Sequence, residues 1–504
     1  EISTRDWSSD VCSSDLRVSD NDAGRRELPS SVVASAYLSF KTGRGKQEEA
    51  ESDIILFRIG FRFFIIKMAA ESKSTLSKTF LGHVYTPVEA GSCLDLVDGY
   101  IAVDECGKIS GVGERKDLYP GAGEQVVDLG KSLILPGFVD MHIHLPQVAQ
   151  TGRSGEQLLA WLEKYIFPAE IKFEDVDFAE KLSYWFFDEL LRNGTTTACV
   201  FTTIHKTSCD RAFSVAEKVG NRVIMGKVLM DENCPDSLKE SHRQSIEESL
   251  ELFDRWHDRD NGRLKYAFTP RFAVTSSREL LKGVGEAWAA NAGSYLHTHL
   301  AESRGEVDLV RELFPEARSY VDVYKMNGLF GTNTVFAHSI HLDDDDLIDL
   351  KKHDCSLAHC PSSNFFLKSG IFAFEKIKES GIRFGLGSDV AAGPEMSMFQ
   401  VMKDANYIQP SHWLTPADLF YRATLGGARA LGLSQHIGSL EPGKDADFII
   451  VDPTNRNAIA RDMLEKETED ILSSLVFLGD DRCVEATYIR GRQVFGKKNF
   501  SNSN

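Results

Sequence analysis

The chain has 504 residues, 42% of them hydrophobic and 26% charged, which is an ordinary balance for a globular protein long enough to bury a large core. Its formal net charge of -18 argues against a nucleic-acid surface, which needs basic patches to displace counterions from phosphates. Its nine cysteines are scattered singly, form no C-x-x-C pair and are odd in number, so no disulfide framework is expected and a reducing compartment fits.

In chain order, residues 1–67 come first and stand apart. The chain opens on glutamate, and DWSSDVCSSDL at 6–16 looks like one frame of a sequencing adapter read as protein. Residues 1–67 are therefore expected to be a translated leader outside the fold, with the natural protein starting at Met68. The apolar run at 54–66 is broken by Arg58 and Arg62 and falls short of the roughly 20 residues of a membrane span, so no membrane partner is expected.

The stretch 79–128 carries short strand-like runs near 99–103 and 108–112. From there β-branched runs alternate with longer amphipathic stretches, the pattern of βα units around a parallel sheet. Eight candidate strands fall at 134–144, 195–201, 223–230, 264–270, 294–300, 334–338, 356–359 and 382–389. Helical stretches lie between them, for example 178–192, closed by Asn193-Gly194, and 302–313; the acidic run 343–346 reads as a solvated helix start. Cys355 and Cys360 flank His359 and read as core strand residues. The segment 438–494 opens with GSLEPGKDADFIIVD, a turn followed by a buried strand.

The predicted architecture is α/β: a (β/α)8 TIM-type barrel over 136–436 and a small β-sandwich composed of both flanks, 68–135 and 437–504. An open doubly wound sheet is the alternative, but no G-x-G-x-x-G turn follows the first strand.

Histidines and a carboxylate fall at the ends of these strands. His142 and His144, two apart on a strand, project to one face; His299 closes the fifth strand, His338 the sixth and Asp389 the eighth. In a barrel all of these ends meet at the C-terminal face, where catalytic groups gather. Neutral imidazoles and one carboxylate suit zinc first, and iron or another divalent metal fits the same donors. Singly each residue has a plainer explanation: an H-x-H can be two polar strand residues, and Asp389 could cap the next helix.

The stretches PGFVDMHIH at 136–144, WLEKYIFPAE at 161–170, NGTTTAC at 193–199, TPRF at 269–272, HLAES at 299–303, HCPSSN at 359–364, GLGSDVA at 385–391 and ATLGGARALGL at 423–433 resemble the amidohydrolase superfamily, and within it the guanine deaminases. The likeness runs from about Met68 to the chain end. It implies one zinc ion per chain on His142, His144, His299 and Asp389. It implies a substrate site of Gln147, Arg271, Phe272, His299, Glu302 and His338. Glu302 would be the proton shuttle, His338 would stand beside the attacking water, and Asp389 would share in catalysis. The resemblance also implies guanine and water as small-molecule partners, a homodimer and a cytoplasmic location. One departure is Leu145-Pro146, where smaller residues are expected and where proline fixes the backbone ahead of Gln147.

The chemistry suits those residues. Deamination at C2 of guanine needs a nucleophile derived from water at neutral pH, and a proton must reach the leaving amine. Arg271 offers a donor fork to a carbonyl and ring-nitrogen edge, Gln147 can donate and accept, and Phe272 offers a stacking face. Arg271 as a structural ion-pair partner and Phe272 as a core aromatic are the plainer alternatives. Two rival functions stand beside the guanine reading: deamination of another aminated purine, a pterin or a triazine, and a catalytically inactive barrel serving as a scaffold. A nucleic-acid deaminase is disfavoured, because no H-x-E is joined by a P-C-x-x-C.

Overall fold

The computed structural model describes residues 77–119, 125–455 and 467–497. The leader expected at 1–67 and the start at Met68 lie outside the described residues.

Eight parallel strands form the barrel in the order β13-β12-β11-β10-β9-β7-β6-β5, with a short β8 beside β9. They are β5 (Phe138–His144), β6 (Thr195–Phe201), β7 (Arg222–Gly226), β8 (Val228–Leu229), β9 (Leu264–Pro270), β10 (Tyr295–Leu300), β11 (Thr334–His338), β12 (Ser356–His359) and β13 (Arg383–Leu386). The ring is joined where the backbone beyond β13 meets β5: the Asp389 N–H donates to the His142 carbonyl (2.8 Å), and the His144 N–H donates to the Val390 carbonyl (3.1 Å). Every residue of β5, β6 and β10 is buried, as strands covered on both faces require. Val139, Met141, Cys199, Ile224, Ala267, Val335 and Ala358 fill the interior, so the barrel is a solid core and not a pore.

The expected helices form and are capped by their own sequence. Asp175 accepts from the first turn of helix Val176–Arg192, and Ser303 with Glu306 makes a reciprocal capping box on helix Arg304–Leu313. That cap leaves Glu302 just outside the helix, in the loop that follows β10. At 343–346 the acidic helix start is only partly solvated: Asp346 is buried, where it accepts from Arg318 Nη2 and Ser319 Oγ, both at 2.6 Å.

Three of the expected strands differ in extent. The run 134–144 is two strands: β4 (Gln125–Pro136) belongs to the second sheet and β5 to the barrel. The chain passes between them at Gly137, where a Cβ would lie 2.2 Å from Thr196 Oγ1. The run 223–230 is interrupted at Lys227, next to Gly226, whose Cβ would lie 1.7 Å from the Ala267 carbonyl oxygen. The last strand is shorter than 382–389, so Asp389 lies beyond it with a left-handed backbone, φ 49°.

The two flanks combine into one mixed sheet in the order β16-β15-β14-β4-β1-β2-β3. The remaining strands are β1 (Lys78–Glu89), β2 (Ser92–Val103), β3 (Ile109–Glu114), β14 (Phe448–Val451), β15 (Val484–Ile489) and β16 (Arg492–Gly496). The sheet curls strongly on itself. Phe80 of β1 and Phe448 of β14 have β4 between their strands, yet their ring centroids are 5.1 Å apart, and the Ile109 N–H donates to the Lys444 carbonyl (2.9 Å). The sandwich expected of the flanks is thus a single curled sheet closed over Phe80, Ile101, Ile134, Phe448 and Tyr488. Among the described residues no helix is long and apolar enough to cross a membrane.

Candidate active site

The strand ends bring His142, His144, His299, His338 and Asp389 together at the C-terminal face, all buried. The Nε2 atom of His144 stands 3.2 Å from Nε2 of His142, from Nε2 of His299 and from Oδ1 of Asp389; the same oxygen lies 3.2 Å from His142 Nε2. Donors on a tetrahedral zinc with bonds of 2.0–2.1 Å would be separated by roughly 3.3 Å, so the spacing fits one ion.

The surrounding hydrogen bonds point the same way. His299 Nδ1 donates to the Arg271 carbonyl at 2.7 Å, which leaves Nε2 as a lone pair facing the cluster. His142 Nδ1 lies 2.8 Å from His297 Nε2. Burial holds His142 down to about 3 and lowers His144 and His299, which favours the neutral form of each ring. Burial opposes the charge on Asp389, yet the facing histidines hold its carboxyl well below the usual range. Three neutral imidazoles and one carboxylate in a buried site form a donor set for a divalent cation. His338 adjoins the cluster, with a donor atom within 4.8 Å of those of His142 and His299: its Nε2 is 3.5 Å from Glu302 Oε2 and 3.6 Å from Asp389 Oδ2, and Asn364 Oδ1 accepts from its Nδ1 at 3.0 Å. Burial disfavours its charge, but Glu302 and Asp389 hold it above its ordinary value.

Glu302 is fixed from both sides. Ser369 Oγ donates to its Oε1 (3.1 Å), and its backbone N–H donates to Glu306 Oε2 (2.8 Å). Burial pushes its carboxyl up to about 7, against the pull of His338, so it can hold or release a proton near neutral pH. His338, at φ 66°, and Asp389 both have left-handed backbones, a strain typical of functional sites.

A pocket with about 370 Å3 of empty space opens over this cluster, lined among others by Gln147, Trp161, Arg271, Phe272 and Glu302. It brings together all the substrate residues expected from sequence. Leu145-Pro146 opens a 3-10 turn, Leu145–Gln150, that seats Gln147 in the pocket wall, so the proline suits the turn it starts. Arg271 is both a pocket residue and an ion-pair partner: its Nη1 donates to Glu170 at 2.8 Å (Oε1) and 2.6 Å (Oε2), and its guanidinium stands 5.4 Å from the Phe167 ring centroid.

Several neighbours were not singled out from sequence. Glu170 is one, although it ends the WLEKYIFPAE stretch. His297 is another, and its signal was present: LHTHL on β10 is a second H-x-H, with His297 and His299 facing the same way. Ser369 and Asp140 also support the site. Asp140 Oδ1 accepts from the backbone of His142 (3.1 Å) and of Ser388 (3.0 Å), tying β5 to the segment that carries Asp389.

The amidohydrolase family profile matches residues 133–494. Over 418 residues the chain is 41% identical to the guanine deaminase of Escherichia coli (strain K12), an overlap covering 81% of this chain and 94% of that protein. Over 442 residues it is 36% identical to the guanine deaminase of Dictyostelium discoideum, covering 83% and 98%. The fold is similar to the crystal structure of guanine deaminase from C. acetobutylicum with bound guanine in the active site, with a TM-score of 0.78 and 32% identity, covering 83% of this chain and 100% of that one.

Proposed function

Because the chain belongs to the amidohydrolase family, we propose that it hydrolyses guanine to xanthine and ammonia, using one zinc ion held by His142, His144, His299 and Asp389. The observation that carries this reading is the donor cluster, with its 3.2 Å spacings, at the floor of a pocket walled by Gln147, Arg271 and Phe272. Zinc bound there supplies a nucleophile at neutral pH by lowering the pKa of water from 15.7 to about 7.

The chain's own residues do the rest. Glu302, with its carboxyl near 7, carries one proton from the attacking water to the purine ring nitrogen, and then carries the second, from the new hydroxyl on C2, to the amine, which leaves as ammonia as the C2 carbonyl forms. His338 stands within reach of both Glu302 and Asp389, where it can steady negative charge as it develops on the substrate. Arg271 offers donors to the carbonyl edge of the base, and Phe272 and Trp161 wall the flat ring and exclude water. The family resemblance also supports a homodimer and a cytoplasmic setting.

The test is a guanine-to-xanthine assay on the purified full chain, with ammonia release and metal content read from the same sample. Turnover with about one zinc per chain is the expected result. A folded, zinc-loaded protein inert on guanine moves the substrate to another aminated heterocycle. A folded protein that takes up no metal favours the scaffold alternative.

A further inference from the structure

Glu170 is buried outside the pocket lining and touches two polar side chains that line it, Arg271 and Gln147. Arg271 Nη1 donates to its two oxygens, and Gln147 Nε2 donates to its Oε1 at 3.1 Å. We propose that Glu170 is a positioning residue that sets the hydrogen-bonding polarity of the pocket, fixing Gln147 as an acceptor and Arg271 as a donor toward the base. This rests on the guanine reading and deepens it.

The argument runs from the chemistry of the three side chains. A guanidinium has only donors, so the Glu170 oxygens facing it must accept. A carboxylate in that state has no proton to give, so the Gln147 amide can meet it only through its NH2. The orientation of an amide is otherwise ambiguous, because either end can face a neutral partner. With its nitrogen turned to Glu170, the polar end that Gln147 leaves for the pocket is Oε1. An acceptor at Gln147 reads an N–H of the base, while the free donors of Arg271 read a carbonyl or a ring-nitrogen lone pair. Guanine presents both kinds of group on its rim. A base that offers the opposite pattern leaves buried polar atoms unpaired and is rejected.

Glu170 lies on the segment Phe167–Ile171, which follows a wide π-helical turn, Leu162–Ile166, and a short helix, Leu158–Trp161. The same segment supplies Trp161 to the pocket and Phe167 to the guanidinium face. One excursion of chain beyond β5 thus provides both the wall and the group that orients the polar arms.

The test is a double-mutant cycle on the full-length, zinc-loaded protein, with guanine as substrate. Glu170→Gln keeps the size of the side chain but can donate as well as accept, so Gln147 is free to turn. Glu170→Gln and Gln147→Leu are each expected to raise KM about tenfold, the loss of one well-placed hydrogen bond, while kcat falls much less. In the double variant KM is expected to fall short of the product of the two single effects, because Glu170 acts through Gln147. Effects that multiply independently, or a loss confined to kcat with KM unchanged, overturn the proposal. If Glu170→Gln does not fold, Glu170→Asp, whose shorter side chain keeps the charge but withdraws the acceptor from the Gln147 amide, takes its place in the same cycle with the same criterion of coupling. A wild-type protein that does not turn over guanine defeats the substrate reading before any variant is compared, whereas an active wild type with uncoupled variants defeats only the role given to Glu170.

Discussion

Nε2 of His297 lies 2.8 Å from Nδ1 of His142, and both rings are fully buried with their planes 84° apart. Binding a cation through Nε2 requires the His142 proton on Nδ1, and His297 is the group placed to accept it. His297→Ala is therefore expected to weaken zinc binding about 10- to 100-fold, read by chelator competition on the purified protein. Unchanged zinc affinity would show that the tautomer of His142 is set by something else.

Glu302 touches no ligand of the cluster within hydrogen-bonding range, yet it stands beside His338 in the pocket. Glu302→Gln is expected to keep zinc content and thermal stability while turnover falls about 10²- to 10⁴-fold, the usual worth of a positioned acid–base group. Steady-state kinetics with metal analysis on the same sample checks this. A drop in zinc matching the drop in rate would mean that the side chain supports the metal and not the proton transfer.

Removing the metal leaves three imidazole lone pairs and a carboxylate facing one another in a buried site, so chelation is expected to destabilise the fold as well as abolish activity. Stabilisation by a ligand held at about 1,000 times its Kd is about 4 kcal/mol. Melting curves before and after dialysis against a chelator, and again after zinc is restored, measure the effect. An unchanged melting temperature after complete zinc removal would sink this prediction.

A second buried charge cluster joins the start of β7 to the second sheet. Arg222 donates from Nε to Asp447 (3.1 Å) and from Nη2 to Asp445 (2.6 Å), while the Arg490 N–H donates to Asp447 (2.8 Å). Arg222→Ala removes a buried cation from both carboxylates, while Asp445 keeps Lys108 and Arg490 and Asp447 keeps the Arg490 N–H, so the expected cost is about 1.5–3 kcal/mol, the worth of a hydrogen bond to a charged group, measurable by denaturant unfolding.

The same cluster gives a pH dependence. Burial alone would raise Asp445, but Arg222, Lys108 and Arg490 outweigh it and hold its carboxyl below the usual value. A carboxyl depressed in the folded state contributes its full stability above the unfolded value, near 3.9, and loses it as pH falls through the lower folded value. Asp445→Asn is expected to remove that part of the acid unfolding slope. An acid transition identical to wild type would contradict it.

Much of the site was legible along the chain, because strand position is local information. Alternating apolar runs located the strands, and a histidine or carboxylate at a strand end must lie at one rim of a barrel. His142, His144, His299, His338 and Asp389 could therefore be named before any contact was known. Strand limits were less accessible: the close approach of Thr196 to Gly137 and of the Ala267 carbonyl to Gly226, which only glycine permits, comes from other strands.

The partners of those residues were not legible. Arg271 pairs with Glu170 across 101 positions, and His142 meets His297 across 155. Period and strand order are properties of neighbouring residues, so the chain alone could indicate which histidines and carboxylates reach the C-terminal rim of the barrel. Which way each group is turned was decided only by the tertiary structure. Arg271 had many carboxylates in the chain to choose from, and the polarity of Gln147 depends on which of them the closed barrel and the excursion beyond β5 bring against these two side chains.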